Sequence, residues 1–200
     1  VDILRRQQSD KFALHLNTEP MSQYRTHNIA KGRNYCIRYM REYFVDTKYF
    51  IMMDCDNVCS SPINTSLLKK YVTERDADWD ALSFNKDPYY DIWALSIGPY
   101  VFSCYHFQHT YERELFDYIT ATIKKYKATD ELIPCYSAFN GFAIYRTNKF
   151  INCTYYGELL FDYIPIKMLI NRFGPISYQY FPKEDCEHRR FHFEAIKRTN

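Results

Sequence analysis

The stretch Lys48–Asp56, KYFIMMDCD, decides how the rest of the chain is read. Five apolar or aromatic residues run without a break from Tyr49 to Met53 and stop at an acid. A short continuous apolar run of this length predicts a strand buried on both faces, as in a mostly parallel sheet. Asp54 and Asp56 then stand at the carboxyl end of that strand, where open α/β sheets bind their ligands. Two carboxylates one residue apart can share a hard divalent ion such as Mg²⁺ or Mn²⁺, which in turn neutralises phosphate oxygens. A polar turn that merely ends the strand uses the same residues.

On the N-terminal side, Ile29–Phe44 has helical spacing: Cys36, Ile37, Met40, Tyr43 and Phe44 share one face, and Lys31, Arg33, Arg38 and Arg41 lie elsewhere. On the C-terminal side, Asn64 is placed to cap a helix over Thr65–Val72. Trp79–Phe84 reads as a strand and Thr110–Lys127 as an amphipathic helix with Leu115, Tyr118, Ile119 and Ile123 inward. Shorter pieces follow Pro134: strands over Phe139–Tyr145 and Ile176–Phe181, an extended piece over Cys153–Gly157 and a hydrophobic stretch around Leu159–Ile170. The alternation predicts an α/β sandwich, and with no linker or internal repeat, residues 1–200 form one domain.

Composition narrows the function classes. The chain has 200 residues with 46% apolar and 25% charged side chains, enough to bury a core, which excludes a disordered or low-complexity array. No run reaches the roughly 18 to 20 apolar residues of a spanning helix, and Val1–Asp10 has no leader pattern, so no membrane segment is expected. A net charge of +2 does not make a sequence-blind polyanion binder, so nucleic acid is not the expected partner. Seven evenly spread cysteines predict reduced thiols and a cytoplasmic location. Asn64-Thr65-Ser66 and Asn152-Cys153-Thr154 match the glycosylation acceptor pattern and bear only on a secreted chain. Cys55-x₃-Cys59 and His106-x₂-His109 lack a second spaced pair for structural zinc.

Two chemistries use an apolar strand ending in DxD. Asp54 is a nucleophile in haloacid-dehalogenase-like phosphohydrolases, whereas both acids serve a metal on a nucleotide-sugar diphosphate in glycosyl transfer. The first needs a later strand ending in a second acidic pair, and Asp76, Asp78 and Asp80 precede a strand instead. The second takes more of the chain with it. VDILRR at Val1–Arg6, Asn28–Asn34 opening a helix, KYFIMMDCDNV and NTSLLKKYV resemble, in order and spacing, the nucleotide-binding half of GT-A glycosyltransferases related to family two. YDIWAL at Tyr90–Leu95, SAFNGFAIY at Ser137–Tyr145 and EDCEH at Glu184–His188 resemble elements of glycosyltransferases of large DNA viruses and of the fungal capsule-associated mannosyltransferase family.

That resemblance implies a GT-A fold, Rossmann-like with a mostly parallel central sheet flanked by helices, here lacking its first strands as in an N-terminally truncated fragment. Residues 1–85 would be the nucleotide-sugar-binding half and 86–200 the acceptor-binding half. It implies metal-dependent transfer of a sugar from a UDP- or GDP-sugar donor to a hydroxyl of a glycan or glycoprotein acceptor, with inversion. Asp54, Asp56 and His188 would hold Mn²⁺ or Mg²⁺. Arg25, Lys31, Arg33, Asn34 and Asp54 would contact the donor, the basic ones at a helix N-terminus that favours phosphate. Asp185 would be the acceptor base, with Glu187 its competitor, and at least one acid of this group would cap the last helix. Asp91, Trp93, Asn140 and Gly141 would meet the acceptor. A non-catalytic glycan-binding relative and, with an anchor preceding this chain, a secretory-pathway lumen are the remaining alternatives.

Overall fold

The computed structural model describes residues 2–57, 62–85, 89–98, 100–103, 109–127, 129, 131–160, 162 and 183–199. In chain order these form α1 (Asp2–Arg5), α2 (Arg25–Tyr43), β1 (Tyr49–Met53), α3 (Thr65–Thr73), β2 (Ala81–Ser83), β3 (Ser96–Ile97), α4 (His109–Lys127), β4 (Cys135–Ser137), β5 (Phe142–Arg146), α5 (Thr147–Phe150) and α6 (Glu187–Thr199). Single 3₁₀ turns occupy Asp76–Asp78 and Ile92–Ala94. The expected strand over Ile176–Phe181 lies outside the described residues, as do most of Leu159–Ile170, Cys59 and His106.

The molecule is mixed α/β. Its three-stranded sheet has the order β1-β5-β2 and a second sheet pairs β3 with β4. Every strand pair among the described residues is antiparallel, with Ile51 opposite Ile144 and Leu82 opposite the same residue on the other side. The apolar run Tyr49–Met53 is therefore not a strand covered on both faces within this sheet. Among the described residues it pairs on one side only, with β5, and Phe50 is buried while Ile51 and Met53 are 52% and 43% exposed. A period of two sends alternate side chains to opposite faces: Phe50 and Met52 reach the main core, and Tyr49 turns to the cluster under α3.

α3 begins as its sequence predicts, because the Asn64 side chain accepts from Leu67 N–H at 3.0 Å. α2 does not. It starts at Arg25, and its buried stripe is Thr26, Ala30, Arg33 and Ile37, spaced four, three and four. Cys36, Tyr43 and Phe44, expected inward, face out. Arg33 thus sits between Ala30 and Ile37 on the core-facing side, well inside the helix.

Two glycines are dictated by geometry. Asn140 and Gly141 both have positive φ, 55° and 84°, the pairing that an Asn-Gly turn supplies at little cost, and β5 starts directly after it. At Gly157 a Cβ would run into the backbone of Thr26 and His27. The chain crosses the start of α2 there, with the Gly157 carbonyl accepting from Thr26 Oγ1 and Asp185 N–H, both at 2.9 Å. No helix of the described residues is long and apolar enough to cross a membrane.

Candidate functional site

Arg33 is the centre of the site. Its guanidinium donates to Asp54 Oδ1 at 2.7 Å, stands 3.2 Å from Glu187 Oε1 and donates to His188 Nδ1 at 3.3 Å. It lies over the Phe139 ring, 4.3 Å from the centroid. Burial alone would push its proton affinity down, but the charges of Glu187 and Asp54 outweigh that, so the group is a fixed cation. Four segments meet on it: α2, the loop after β1, the Asn-Gly turn and the start of α6.

The turn aligns the acids. Asp54 N–H donates to the Gly141 carbonyl at 2.9 Å, while Asn140 Oδ1 accepts from the backbone of Tyr90 and Asp91, each at 3.2 Å, and Nδ2 donates to Phe84 O at 3.0 Å. One Asn side chain therefore sets the Tyr90–Asp91 segment against the DxD loop. Tyr90 Oη reaches Asp54 Oδ2 at 3.4 Å, and Asp91 Oδ1 caps the 3₁₀ turn through Ala94 N–H. Burial raises the carboxyls of Asp91 and Glu187 above their usual range, with Arg33 opposing in both cases. Asp54 is half-buried and Asp56 exposed, so the cluster opens to solvent at the end of β1.

Several residues expected at the site are elsewhere. Lys31 pairs with Glu19, and the Asn34 amide clamps the Tyr155 backbone with two 2.8 Å hydrogen bonds. Arg25 is exposed at the first position of α2. The helix N-terminus itself is taken: Glu184 Oε2 accepts from Thr26 N–H at 3.2 Å and Thr26 Oγ1 at 2.8 Å. A carboxylate capping that end does what a phosphate was expected to do. Of the basic residues, Arg33 alone joins the acids.

The three acids before and in α6 go to three different partners. Glu184 caps α2. Asp185, the expected base, is 1% exposed; it accepts from Arg189 Nε at 3.0 and 2.9 Å and from Cys186 N–H at 2.7 Å. Arg189, fully buried, also bonds Ser96 Oγ and the Trp93 carbonyl. That ion pair ties α6 to the Ile92–Ala94 turn. Trp93 packs partly buried against the main core, so its indole is a packing residue. Glu187 alone of the three reaches the cluster.

Asp54 and Asp56 supply the hard oxygen donors that Mg²⁺ and Mn²⁺ take. His188, the third expected ligand, does not complete a shell with them. It is 1% exposed, and its Nδ1 faces Arg33 Nη1 while Asp54 is met by Nη2. Among the described residues no three His, Cys, Asp or Glu side chains are grouped as a cation site. A cavity of about 630 Å³, lined in part by Trp79, Ser137, Lys149 and His192, contains none of the acids around Arg33.

Gly32 gives a test of the expectation that backbone must approach a ligand here. A Cβ at Gly32 meets nothing within 4 Å, and the residue is exposed in mid-helix. Gly32→Ala is expected to raise stability by about 0.5–1 kcal/mol in chemical denaturation. A loss of stability would mean that the helix is not regular at this point.

Tyr90, Phe139 and Tyr145 were not legible as site residues. For Arg33 a signal exists: it is the one basic residue on the 26-30-33-37 stripe. No family model matches the chain, and no match was found among curated proteins or solved structures.

Proposed function

We propose that this protein is a divalent-cation-dependent glycosyltransferase that moves a sugar from a nucleotide diphosphate donor to an acceptor hydroxyl. The observation that carries the reading is the convergence of Asp54 and Glu187 on one buried guanidinium at the open end of β1, with the Tyr90–Asp91 segment set against Asp54 through Tyr90 Oη. Glycosyl transfer has two needs: charge to receive the departing diphosphate, and a carboxylate to take the acceptor proton. Arg33 meets part of the first. Asp54 and Asp56 would hold the cation, which when bound stabilises negative charge on the leaving diphosphate.

Glu187 takes the place of Asp185 as acceptor base. Its carboxyl is not locked in a bidentate pair, and burial makes it a stronger base than an exposed glutamate. Asp91, half-buried on the opposite loop, is positioned to bind sugar hydroxyls. The phosphohydrolase alternative needs a second acidic pair beside Asp54, and Asp76 and Asp78 do not supply it. Asp76 is bonded to Lys48 Nζ at 2.6 Å and Tyr49 Oη at 3.0 Å, at the beginning of β1, and Asp78 pairs with Arg75. A five-residue strand, roughly 17 Å long, separates them from Asp54.

The test is a panel of UDP- and GDP-sugars with Mn²⁺, reading nucleotide diphosphate release. Wild type is expected to release diphosphate with at least one donor. Asp56→Ala and Glu187→Gln are each expected to lower the rate by about 10²-fold or more. Equal release by wild type and Asp56→Ala would remove the metal role. Phosphate release from a simple ester without a sugar acceptor would favour the hydrolase.

A further inference from the structure

A buried chain of polar atoms runs away from the site through the core. Ser137 Oγ is 2.9 Å from His192 Nδ1, His192 Nε2 is 3.2 Å from Tyr145 Oη, and Tyr145 Oη is 3.5 Å from His188 Nδ1. His188 Nδ1 is also the atom that faces Arg33 Nη1. The His188 ring is held by aromatic neighbours, stacked on Phe139 at 3.7 Å and edge-on to Tyr155 at 5.3 Å. Its Nε2 is buried without a hydrogen-bond partner among the described residues, 3.6 Å from Glu187 Oε1.

The chemistry of these groups orders the protons. A guanidinium only donates, so His188 Nδ1 must present its lone pair. A neutral imidazole carries one proton, which is then on Nε2. Tyr145 has a single hydroxyl proton. The Nδ1 lone pair is already taken by Arg33, so the Tyr145 hydroxyl lies beside it and the guanidinium sets the tautomer of His188.

We infer that His188 is a positioning residue and not a cation ligand: Arg33, with Phe139 and Tyr155 fixing the ring, holds it as the tautomer whose Nε2–H lies on the Glu187 side. A metal ligand must offer a lone pair, and the only one on this ring faces a cation. The 3.6 Å separation exceeds hydrogen-bond length, so the ring bears on Glu187 as an oriented dipole beside its carboxylate. The importance of Glu187 rests on the transfer reaction proposed above; the tautomer follows from the contacts themselves.

Nitrogen-15 NMR of the imidazole rings reads the tautomer directly in the intact protein. The His188 and His192 spin systems are assigned by comparing wild type with His188→Gln and His192→Gln. His188 is expected to show Nε2 protonated and Nδ1 bare, with its shifts unchanged on adding Mg²⁺. Tyr145→Phe, with the fold followed by circular dichroism, is expected to leave the His188 tautomer unchanged. Protonation of His188 at Nδ1, or a Mg²⁺-induced shift of a bare Nε2, would overturn the inference. Failure of diphosphate release in the donor panel would sink the transferase reading and leave this result standing.

Discussion

Acidification from pH 7 to pH 4 is expected to destabilise the protein by on the order of 3 kcal/mol through His192 alone. The ring is buried between Ser137 and Tyr145, and its pKa is pushed down to about 3, first by burial and then by the charges of Arg189 and Arg33. In the unfolded chain it binds a proton near pH 6.5. The unfolded state therefore holds more protons between those values. The stability contributed by the neutral ring is full above about pH 6.5 and is lost as the pH falls towards 3. His188, lowered by burial and Arg33, acts in the same sense. Glu187 and Asp91, whose carboxyls are raised, act in the opposite sense. The informative comparison is thus wild type with His192→Gln in urea titrations at pH 7, 6, 5 and 4.5. The variant should lose up to about 1.4 kcal/mol per pH unit from the slope. An unchanged slope would mean that His192 is protonated in the folded state.

Arg189→Met is expected to cost about 3–5 kcal/mol, because it leaves the Asp185 carboxylate buried and without its guanidinium. It also removes the donors to Ser96 Oγ and the Trp93 carbonyl, which join α6 to the turn beside Asp91. Replacing both members of a buried pair is much cheaper than breaking it. The double variant Arg189→Met, Asp185→Asn should therefore recover a large part of the loss. A double-mutant cycle by chemical denaturation separates the cases. Independent, additive losses would show that Asp185 is not held by Arg189. Asp185 would then return as a candidate base.

The elements that local rules govern were legible. Asn64 caps α3, and the apolar run forms β1 and stops at Asp54, both from short-range pattern. Strand direction was not. A continuous apolar run reports burial of a strand but says nothing of its partner, and the pairing with β5 depends on residues about ninety positions away. The face of α2 was misread for a related reason. Charged residues were assigned to solvent, yet Arg33 is on the buried stripe because two acids meet it there.

Glu184, Asp185 and Glu187 show the limit most clearly. They are chemically alike and close in sequence, and only the packing of α2 and α6 sends one to a helix end, one to Arg189 and one to Arg33. The Ser137–His192–Tyr145–His188 chain was hidden because its members read as core aromatics and a histidine pair. Their polar atoms meet through contacts spanning 43 to 55 residues of sequence. The Asn-Gly turn was visible as a turn, but its part in fixing Tyr90 and Asp91 against Asp54 comes from the side chain of Asn140.

The most direct measurement is a crystal structure of the protein grown with Mn²⁺ and a nucleoside diphosphate, with anomalous scattering used to locate the metal. The expected result is a manganese peak at the carboxylates of Asp54 and Asp56, the diphosphate beside Arg33, and His188 outside the coordination shell. Manganese and nucleotide bound in the cavity lined by Trp79 and His192, with Asp54 and Asp56 untouched, would contradict the assignment of the site.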